Sequence, residues 1–344
     1  MRASDDTTKM FREAAQAAEV VARQLAENRA RMGQLRDVLR KLAPRAVVTC
    51  ARGSSDHAAT FAKYLIETRT GVLTSSAAPS VSSIYGAKAD LHGTVFLAIS
   101  QSGASPDLLA SIDMARKAGA CTIAIVNADN SPLAAAADYA IPLCAGAEIS
   151  VAATKSYIAS LSALIHLVGS WASDHELLDA LDLAPKQLSR AWELDWSAAS
   201  LRLSDVENLY VLARGLGLGI AQEGALKLKE TCGLHAEGFS AAEVKHGPMA
   251  LVHSDFPVML LAQNDETRAG NEVLAKSLIA RGAPVLTAGM RCPGAIVLPT
   301  IAAHPAIEPM LMIQSFYRMA NALSLARGLD PDRPPHLLKV TETV

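Results

Sequence analysis

Two halves of the chain repeat one another at a fixed spacing, and this repeat limits the folds that the sequence can adopt. The tripeptide ARG begins at Ala51 and again at Ala213, a shift of 162 positions (213 − 51). Gln101 and Gln263 are separated by the same shift, and each follows a strand-like run, TVFLAIS in the first case and FPVMLLA in the second. The triplets AGA (118–120) and RGA (281–283) match to within one residue. The chain is therefore predicted to contain two copies of one unit.

Each copy is expected to alternate strands with helices. In the first copy, short apolar runs occur at VVTCA (47–51), VLTSS (72–76), TVFLAIS (94–100), CTIAIVN (121–127) and YAIPL (139–143). Helical patterns lie at 56–70, 80–86, 105–118, 131–136 and 152–172. This alternation is typical of an α/β fold with a parallel sheet. We expect two tandem flavodoxin-like units, each a parallel sheet flanked by helices.

The repeat also predicts how the 344 residues divide. An N-terminal helical arm (1–43) precedes the first α/β domain (44–172). A helical linker (173–207), in which Pro185 marks a break, leads to the second domain (208–330) and a tail (331–344). Two domains of this size are ordinary for a chain of this length.

Composition excludes several classes of protein. A net charge of −2 and a pI near 6.5 give no electrostatic reason to expect nucleic acid as a partner. The sequence shows neither an apolar run of membrane-spanning length nor a signal peptide, so we expect a cytoplasmic protein without a membrane partner. Five scattered cysteines fit reduced, mostly buried thiols. The cysteines and histidines lack metal-binding spacings, so no metal site is predicted.

A serine-rich turn follows the third strand of the first copy. Ser105 stands before Pro106 as a helix N-cap would, but capping leaves Ser100 and Ser102 unexplained. Serines at a helix N-terminus also suit a phosphate, because the unpaired N–H groups there carry partial positive charge. The local pattern leaves capping and anion binding open.

The second copy favours the anion site. At the positions that match the three serines it carries Ala262, Asn264 and Thr267. A requirement of folding would have kept serines in both copies. The segment ARGSSDHA adds Ser54 and Ser55 at another predicted strand end, where open α/β sheets bind ligands.

The second copy carries a different set of polar residues. Glu223, Lys227 and Glu230 lie on one face of a predicted helix, where a solvated, salt-bridged stripe is the ordinary interpretation. Their apolar neighbours favour a buried helix, in which the acids need partners or a chemical role. His246 stands in a Gly-Pro turn. A carboxylate and a histidine without a metal suggest proton transfer. The nearby GLGLG run lacks the third glycine of a dinucleotide fingerprint.

Five motifs together resemble the SIS (sugar isomerase) family, which includes the isomerase half of glucosamine-6-phosphate synthase. The resemblance covers about residues 40–344. Its motifs are SQSG (100–103), AGAEISVAATK (145–155), EGALKLKE (223–230), HAEGFSAAEVKHGP (235–248) and HLLKVTETV (336–344).

The resemblance implies roles for particular residues. Glu230 would move a proton between C1 and C2 of a sugar phosphate, and His246, contributed by a neighbouring subunit, would assist ring opening. A homodimer with shared active sites is thereby implied. Lys339 would meet the carbonyl end of the sugar, the backbone of Val151 and Ala152 would line the pocket, and Glu223 and Lys227 would orient Glu230 or the sugar hydroxyls. The phosphate-binding residues would be Gly53, Ser54, Ser55, Ser100, Gln101, Ser102 and Ser105.

Departures from the synthase pattern favour a different member of the family. Ala104 replaces the acid of SQSGE, Ala153 replaces the hydroxyl of VASTK, and RGSS in place of CGTS resembles stand-alone amino-sugar-phosphate deaminases. Since the chain starts at Met1-Arg2, we do not expect the synthase's glutaminase domain or glutamine-dependent synthesis. We expect conversion of glucosamine 6-phosphate to fructose 6-phosphate and ammonia, without a metal or organic cofactor. The alternatives are a synthase-like isomerase lacking its glutaminase domain, a deglycase of phosphorylated fructosamines, and a non-catalytic phosphosugar sensor.

Overall fold

The computed structural model of the chain describes residues 7–128 and 130–339. These residues form two five-stranded sheets, and every pair of neighbouring strands is parallel. The first sheet contains β1 (Ala46–Cys50), β2 (Leu73–Ser76), β3 (Thr94–Ser100), β4 (Cys121–Val126) and β5 (Tyr139–Pro142). The second contains β6 (Asn208–Ala213), β7 (His235–Ser240), β8 (Val258–Leu261), β9 (Val285–Ala288) and β10 (Ile296–Leu298).

The two sheets share one topology. The first has the order β2-β1-β3-β4-β5, and the second has the equivalent order β7-β6-β8-β9-β10. In both, the second strand in sequence lies outside the first, and the later strands follow on the other side, as in flavodoxin-like sheets. The prediction of two tandem flavodoxin-like α/β units is confirmed.

Helices precede, connect and follow the strands of both sheets. They are α1 (Lys9–Ala15), α2 (Ala17–Leu42), α3 (Ser54–Thr70), α4 (Pro79–Ser83), α5 (Pro106–Lys117), α6 (Pro132–Ala136), α7 (Lys155–Ala172), α8 (His175–Trp192), α9 (Ser197–Leu203), α10 (Leu218–Cys232), α11 (Arg268–Ala280) and α12 (Glu308–Ala326). None of these helices is long and apolar enough to cross a membrane.

The sequence repeat corresponds to structural equivalence. Arg52 and Arg214 each follow the first strand of their sheet. Gly119 and Gly282 stand just beyond α5 and α11, and both have positive φ, +88° and +81°. Glycine adopts that conformation without the steric cost that a Cβ imposes, so both turns can lead straight into the next strand.

Burial explains why the strand signals differ in strength. All seven residues of β3, which lies in the middle of its sheet, are buried, and their sequence is an unbroken apolar run closed by Ser100. The edge strand β2 has the sequence LTSS, in which only Thr74 is buried. A central strand of a parallel sheet is covered on both faces and therefore reads as continuously apolar.

The chain forms two compact units whose residues interleave along the sequence. Among the described residues, the N-terminal unit contains 19–128, 130–148, 159–182 and 338–339. The C-terminal unit contains 7–18, 149–158 and 183–337. The first unit thus holds sheet β1–β5, and the second holds sheet β6–β10.

The predicted break at Pro185 is wrong. Helix α8 runs from His175 to Trp192 with Pro185 inside it. Proline in a helix interior removes a backbone hydrogen bond and costs about 3 kcal/mol. Burial of one apolar face offsets this cost, since its members are at most 1% exposed: Leu177, Leu181, Ala184, Leu188 and Ala191.

A histidine buried in the N-terminal unit should make stability depend on pH. Burial lowers the pKa of His166 from 6.5 to about 4, with Asp182 opposing and Arg29 reinforcing the shift. Within the described part of the chain, its Nδ1 has no hydrogen-bond partner. Below pH 6.5 the unfolded chain binds a proton at this position more readily than the folded chain does. Stability is therefore lost as pH falls from 6.5 towards 4, by roughly 3 kcal/mol in total.

We expect the midpoint of urea-induced unfolding to fall less between pH 7.5 and pH 5 in His166→Gln than in the wild type. His175→Gln, which changes an exposed histidine at the start of α8, serves as the control and should leave the dependence unchanged. Equal pH dependence in wild type and His166→Gln would contradict the assignment.

Candidate functional site

The predicted phosphate-binding residues come together at one edge of the N-terminal sheet. Strands β1 and β3 are parallel neighbours, paired from Ala46↔Thr94 to Cys50↔Ala98. The loops that follow them therefore leave the sheet at the same edge, where open α/β sheets bind ligands. The loop after β1 carries Gly53, Ser54 and Ser55 into α3, and the loop after β3 carries Ser100, Gln101, Ser102 and Ser105 into α5.

Backbone hydrogen bonds hold the loop after β3. The carbonyl of Gln101 accepts from the amide of Ala128 at 3.2 Å, and the carbonyl of Gly103 accepts from Leu133 at 3.0 Å. Gly103 has φ +62°, and a Cβ atom there would lie 2.7 Å from Cγ2 of Val126. Glycine is thus required here both by conformation and by close packing.

The serine hydroxyls of this loop are placed as hydrogen-bond donors. The amide of Gly103 donates to Oγ of Ser100 at 3.0 Å, and the amide of Ala104 donates to Oγ of Ser102 at 3.4 Å. Ser105 is the N-cap residue of α5 but makes no side-chain capping bond. None of the three O–H groups has an acceptor among the described residues. Capping therefore does not account for Ser105, and an anion would satisfy all three donors.

The matching turn of the C-terminal unit uses hydrogen-bond donors internally. Nε2 of Gln263 donates at 2.8 Å both to the carbonyl of Arg214 and to Oδ2 of Asp265. The amide of Thr267 donates to Oδ1 of Asp265 at 2.9 Å. Side chains of the unit itself thus occupy the groups that a ligand would need, which matches the loss of the serines from this copy.

Helix α10 holds the predicted acid–base residues and is buried as expected. Lys227 and Glu223 are both 0% exposed, whereas the side chain of Glu230 is 18% exposed. Nζ of Lys227 lies 3.5 Å from Oε1 of Glu223 and forms an ion pair with Oε2 of Glu230. Glu223 and Lys227 therefore do not belong to a solvent-exposed, salt-bridged helix face, which was the ordinary interpretation of their spacing. One ammonium bridges two carboxylates, of which Glu230 is the more accessible.

Two tyrosines surround the inner carboxylate. The hydroxyl of Tyr317, on α12, donates to Oε1 of Glu223 at 3.1 Å. Tyr157, at the start of α7, is fully buried, and burial together with the charge of Glu223 raises its pKa well above the usual value. Sequence reasoning missed both residues, because Tyr317 is 94 positions from Glu223 and no local pattern joins them.

His246 lies apart from this network within its unit. It is exposed and ends the short 3₁₀ helix Glu243–His246, next to Gly247, whose φ of +134° favours glycine. Among the described residues it makes no hydrogen bond with Glu230. Its expected contribution from a neighbouring subunit stays a prediction.

The backbone predicted to line the pocket is held by a residue of α1. The amides of Ile149 and Ser150 both donate to the carboxylate of Glu13, the second at 3.1 Å. Val151 and the buried Ala152 follow directly. Glu13 is 7% exposed and lies 137 positions from Ser150, so sequence reasoning gave no signal for it.

Lys339 has a buried partner in the N-terminal unit. Its Nζ lies 3.4 Å from Oε2 of Glu148, whose side chain is 0% exposed, while the lysine side chain is 26% exposed. This ion pair attaches Lys339, the last described residue of the HLLKVTETV motif, to the rest of the N-terminal unit. The last five residues of the motif lie outside the described residues. Its predicted contact with the sugar stays a prediction.

The described residues contain no cluster of three or more histidine, cysteine, aspartate or glutamate side chains that could hold a metal ion. The predicted functional residues instead supply serine hydroxyls near helix N-termini in the N-terminal unit and a buried carboxylate–ammonium network in the C-terminal unit.

Fold and site define a class of protein: a tandem α/β protein with a serine loop at a strand-end crevice of one unit and a buried acid network in the other. The model of the SIS domain matches residues 43–168 and 202–288. The chain therefore belongs to the SIS domain family, as the motifs indicated.

Individual relatives agree with this assignment. Glutamine–fructose-6-phosphate aminotransferase of Thermotoga maritima is 34% identical over 314 residues, which cover 85% of this chain and 50% of that protein. The chain spans about half the length of the curated relatives it matches. A provisionally assigned phosphosugar isomerase from Silicibacter pomeroyi DSS-3 is 40% identical with a TM-score of 0.91, covering 94% of this chain and all of that one. The C-terminal domain of glucosamine-fructose-6-phosphate aminotransferase from Francisella tularensis is 28% identical with a TM-score of 0.86, covering 96% of this chain and all of that domain.

Removing the ammonium of Lys227 should destabilise the fold strongly. Lys227→Met leaves the fully buried Glu223 without its cation, and breaking a buried ion pair in this way costs about 3–5 kcal/mol. Adding Glu223→Gln should recover much of the loss, because it removes the buried negative charge that Lys227 balanced. Urea-induced unfolding of the single and double variants measures both effects.

Lys229→Met changes an exposed lysine on the same helix and should cost less than about 0.5 kcal/mol. A small effect of Lys227→Met, equal to that of this control, would contradict the burial of the pair.

Proposed function

We propose that this chain is a phosphosugar isomerase that deaminates an amino sugar phosphate, converting glucosamine 6-phosphate and water to fructose 6-phosphate and ammonia. The observation that carries the proposal is the set of three serine O–H donors between the end of β3 and the start of α5 that have no acceptor in the described part of the chain. The chain also holds a partly exposed carboxylate ion-paired to a buried lysine. Family membership, and identity to aminotransferases that act on fructose 6-phosphate, support a sugar phosphate as the ligand.

In the proposed mechanism the serine hydroxyls anchor the phosphate, and His246 of a neighbouring subunit assists ring opening. Glu230 then abstracts the proton on C2 of the open-chain sugar. The electron pair forms the C1–C2 double bond, and the carbonyl oxygen on C1 accepts the displaced electrons and a proton from solvent, which gives an enolamine. The same carboxyl returns the proton to C1 while the nitrogen supplies electrons and releases a proton to solvent, which leaves an imine at C2. Water adds to the imine, and ammonia departs to give the C2 ketone.

The three charges of the buried network on α10 each have a role in this scheme. Lys227 holds Glu230 in one orientation through their ion pair, and Glu223 holds Lys227 from the buried side. A base fixed in this way does not have to be ordered again at each turnover. Lys339 would meet the carbonyl end of the sugar, and the backbone at Val151 and Ala152 would line its pocket.

A second candidate is a synthase-like isomerase that makes the amino sugar from fructose 6-phosphate. The 34% identity to complete aminotransferases, of which this chain spans half, favours it. It uses the same residues in the opposite direction, with ammonia supplied by another protein or from solution.

The direct test measures ammonia and ketose phosphate from glucosamine 6-phosphate and galactosamine 6-phosphate in parallel, and glucosamine 6-phosphate from fructose 6-phosphate with ammonium. Release of ammonia with matching ketose phosphate supports the deaminase. Net synthesis alone supports the second candidate. Turnover only of a phosphorylated fructosamine would identify a deglycase, and binding without any turnover would identify a sensor; either result would overturn the proposal.

Glu230→Gln should lower kcat by about 10²–10⁴-fold while KM changes little, because a positioned general base is lost and the phosphate anchor is kept. Glu207→Gln, which changes an exposed carboxylate just before β6, is the control and should leave both constants unchanged. Steady-state ammonia release measures both variants. Intact activity of Glu230→Gln would show that another group is the base.

Ser102→Ala should act mainly on binding. A hydrogen bond to a charged group contributes about 1.5–3 kcal/mol, so KM should rise about 10–100-fold while kcat is largely kept. Ser189→Ala, which removes an exposed hydroxyl from α8, is the matched control. An unchanged KM for Ser102→Ala would place the phosphate elsewhere.

A further inference from the structure

An ion pair joins the two loops at the edge of the N-terminal sheet. Arg52 follows β1, and Asp107 lies in the first turn of α5. Nε of Arg52 donates to Oδ2 of Asp107 at 2.7 Å. The carboxylate side chain is 1% exposed, whereas the arginine side chain is 51% exposed. One partner is thus fixed inside the unit, and the other reaches the surface.

The buried carboxylate requires this cation if an anion is to bind beside it. Asp107 stands two residues after Ser105, so its charge alone would repel a phosphate held by the serine loop. Its second oxygen accepts the amide of Leu108 at 2.8 Å. The guanidinium of Arg52 neutralises the carboxylate. Other ionisable groups near the arginine are Asp56, whose pKa burial raises, and His57.

The same arginine keeps most of its donors unused. A guanidinium has five N–H groups in a rigid fork, and the bond to Asp107 uses the one on Nε. The four N–H groups on Nη1 and Nη2 have no hydrogen-bond partner among the described residues. The bond to Asp107 holds the guanidinium at the first turn of α5, two residues after Ser105, and the backbone of Arg52 leads directly into Gly53 and Ser54.

We propose that Arg52 is a phosphate ligand of this site, a full positive charge that supplements the hydroxyls and helix N-termini, and that Asp107 is its positioning residue. An arginine fork matches the oxygens of a phosphate in a bidentate manner, which hydroxyls and partial charges cannot do. The consequence is selectivity: Arg52 favours a sugar that carries a phosphate dianion over the same sugar without one. This inference rests on the proposed function only in that both place a phosphosugar at the serine loop.

The test measures binding by calorimetry, with fructose 6-phosphate and inorganic phosphate as ligands and unphosphorylated fructose as the reference. Arg52→Gln should weaken binding of fructose 6-phosphate about 10–100-fold, the range for loss of a charged hydrogen-bond pair. Binding of inorganic phosphate should weaken in parallel. Arg52→Lys should recover part of the affinity, since it restores the charge but not the fork.

A double variant separates phosphate binding from a merely structural role. Arg52→Gln alone leaves the buried Asp107 carboxylate without its bond from the guanidinium, and this change can weaken binding by disturbing the loop. Arg52→Gln with Asp107→Asn removes both charges and so removes that cause. We expect the double variant to remain about 10–100-fold weaker than wild type for the phosphosugar. Wild-type affinity in the double variant would overturn the proposal.

A matched control and the wild type complete the design. Arg69→Gln breaks an ion pair of the same unit, with Asp174 at 3.4 Å, and should leave phosphosugar affinity unchanged. If the wild type binds fructose 6-phosphate but releases no ammonia from amino sugar phosphates, the deaminase proposal is refuted. The affinities of the Arg52 variants then still decide whether Arg52 binds the phosphate. Failure of the wild type to bind any phosphosugar would refute both.

Discussion

The Lys227 ammonium, buried between two carboxylates, is the interaction on which the chemistry of the C-terminal unit depends. A fully buried ammonium is stable only with partners, and Glu223 and Glu230 supply them, four and three residues away respectively on the same helix. Glu223 is closed in and receives a further bond from Tyr317, so it serves as the fixed end of the network. Glu230 retains 18% exposure and is the end that can meet a substrate. Helix geometry and burial together thus select which acid exchanges protons in the proposed reaction.

The sequence predicts those parts of the structure that depend on local pattern. Apolar runs such as TVFLAIS located the buried strands, the 162-residue shift located the second sheet, and offsets of four and seven placed Glu223, Lys227 and Glu230 on one helix face. Parallel pairing then brought Ser54 and Ser100 to one edge, since both follow neighbouring strands. Each of these inferences uses positions close in sequence or a period that the chain repeats.

The parts that the sequence did not predict depend on contacts distant in sequence. Glu13 binds the amides of 149–150, and Arg52 pairs with an acid 55 positions away. Pro185 was misjudged for a related reason: its local preference favours a break, but burial of one face of α8 outweighs that preference. Where a helix buries a continuous apolar face, intrinsic helix propensity contributes less to its stability than burial does. The pairing of Lys339 with Glu148 belongs to the same class, since 191 positions separate them.

The two units differ in their capacity to bind an anion because different side chains occupy the turn after β3 and the equivalent turn after β8. In the N-terminal unit, Ser100 and Ser102 accept bonds from their own loop and keep their O–H donors unmatched. In the C-terminal unit, Nε2 of Gln263 and the amide of Thr267 instead donate to Asp265 of the same turn. A turn whose donors are already bonded gains little from an anion, because binding must first break those bonds. A turn with unmatched donors gains the full interaction. The two units therefore share one topology but differ in what an anion can gain from the equivalent turn, and the buried charges of α10 lie in the unit whose turn is already bonded internally.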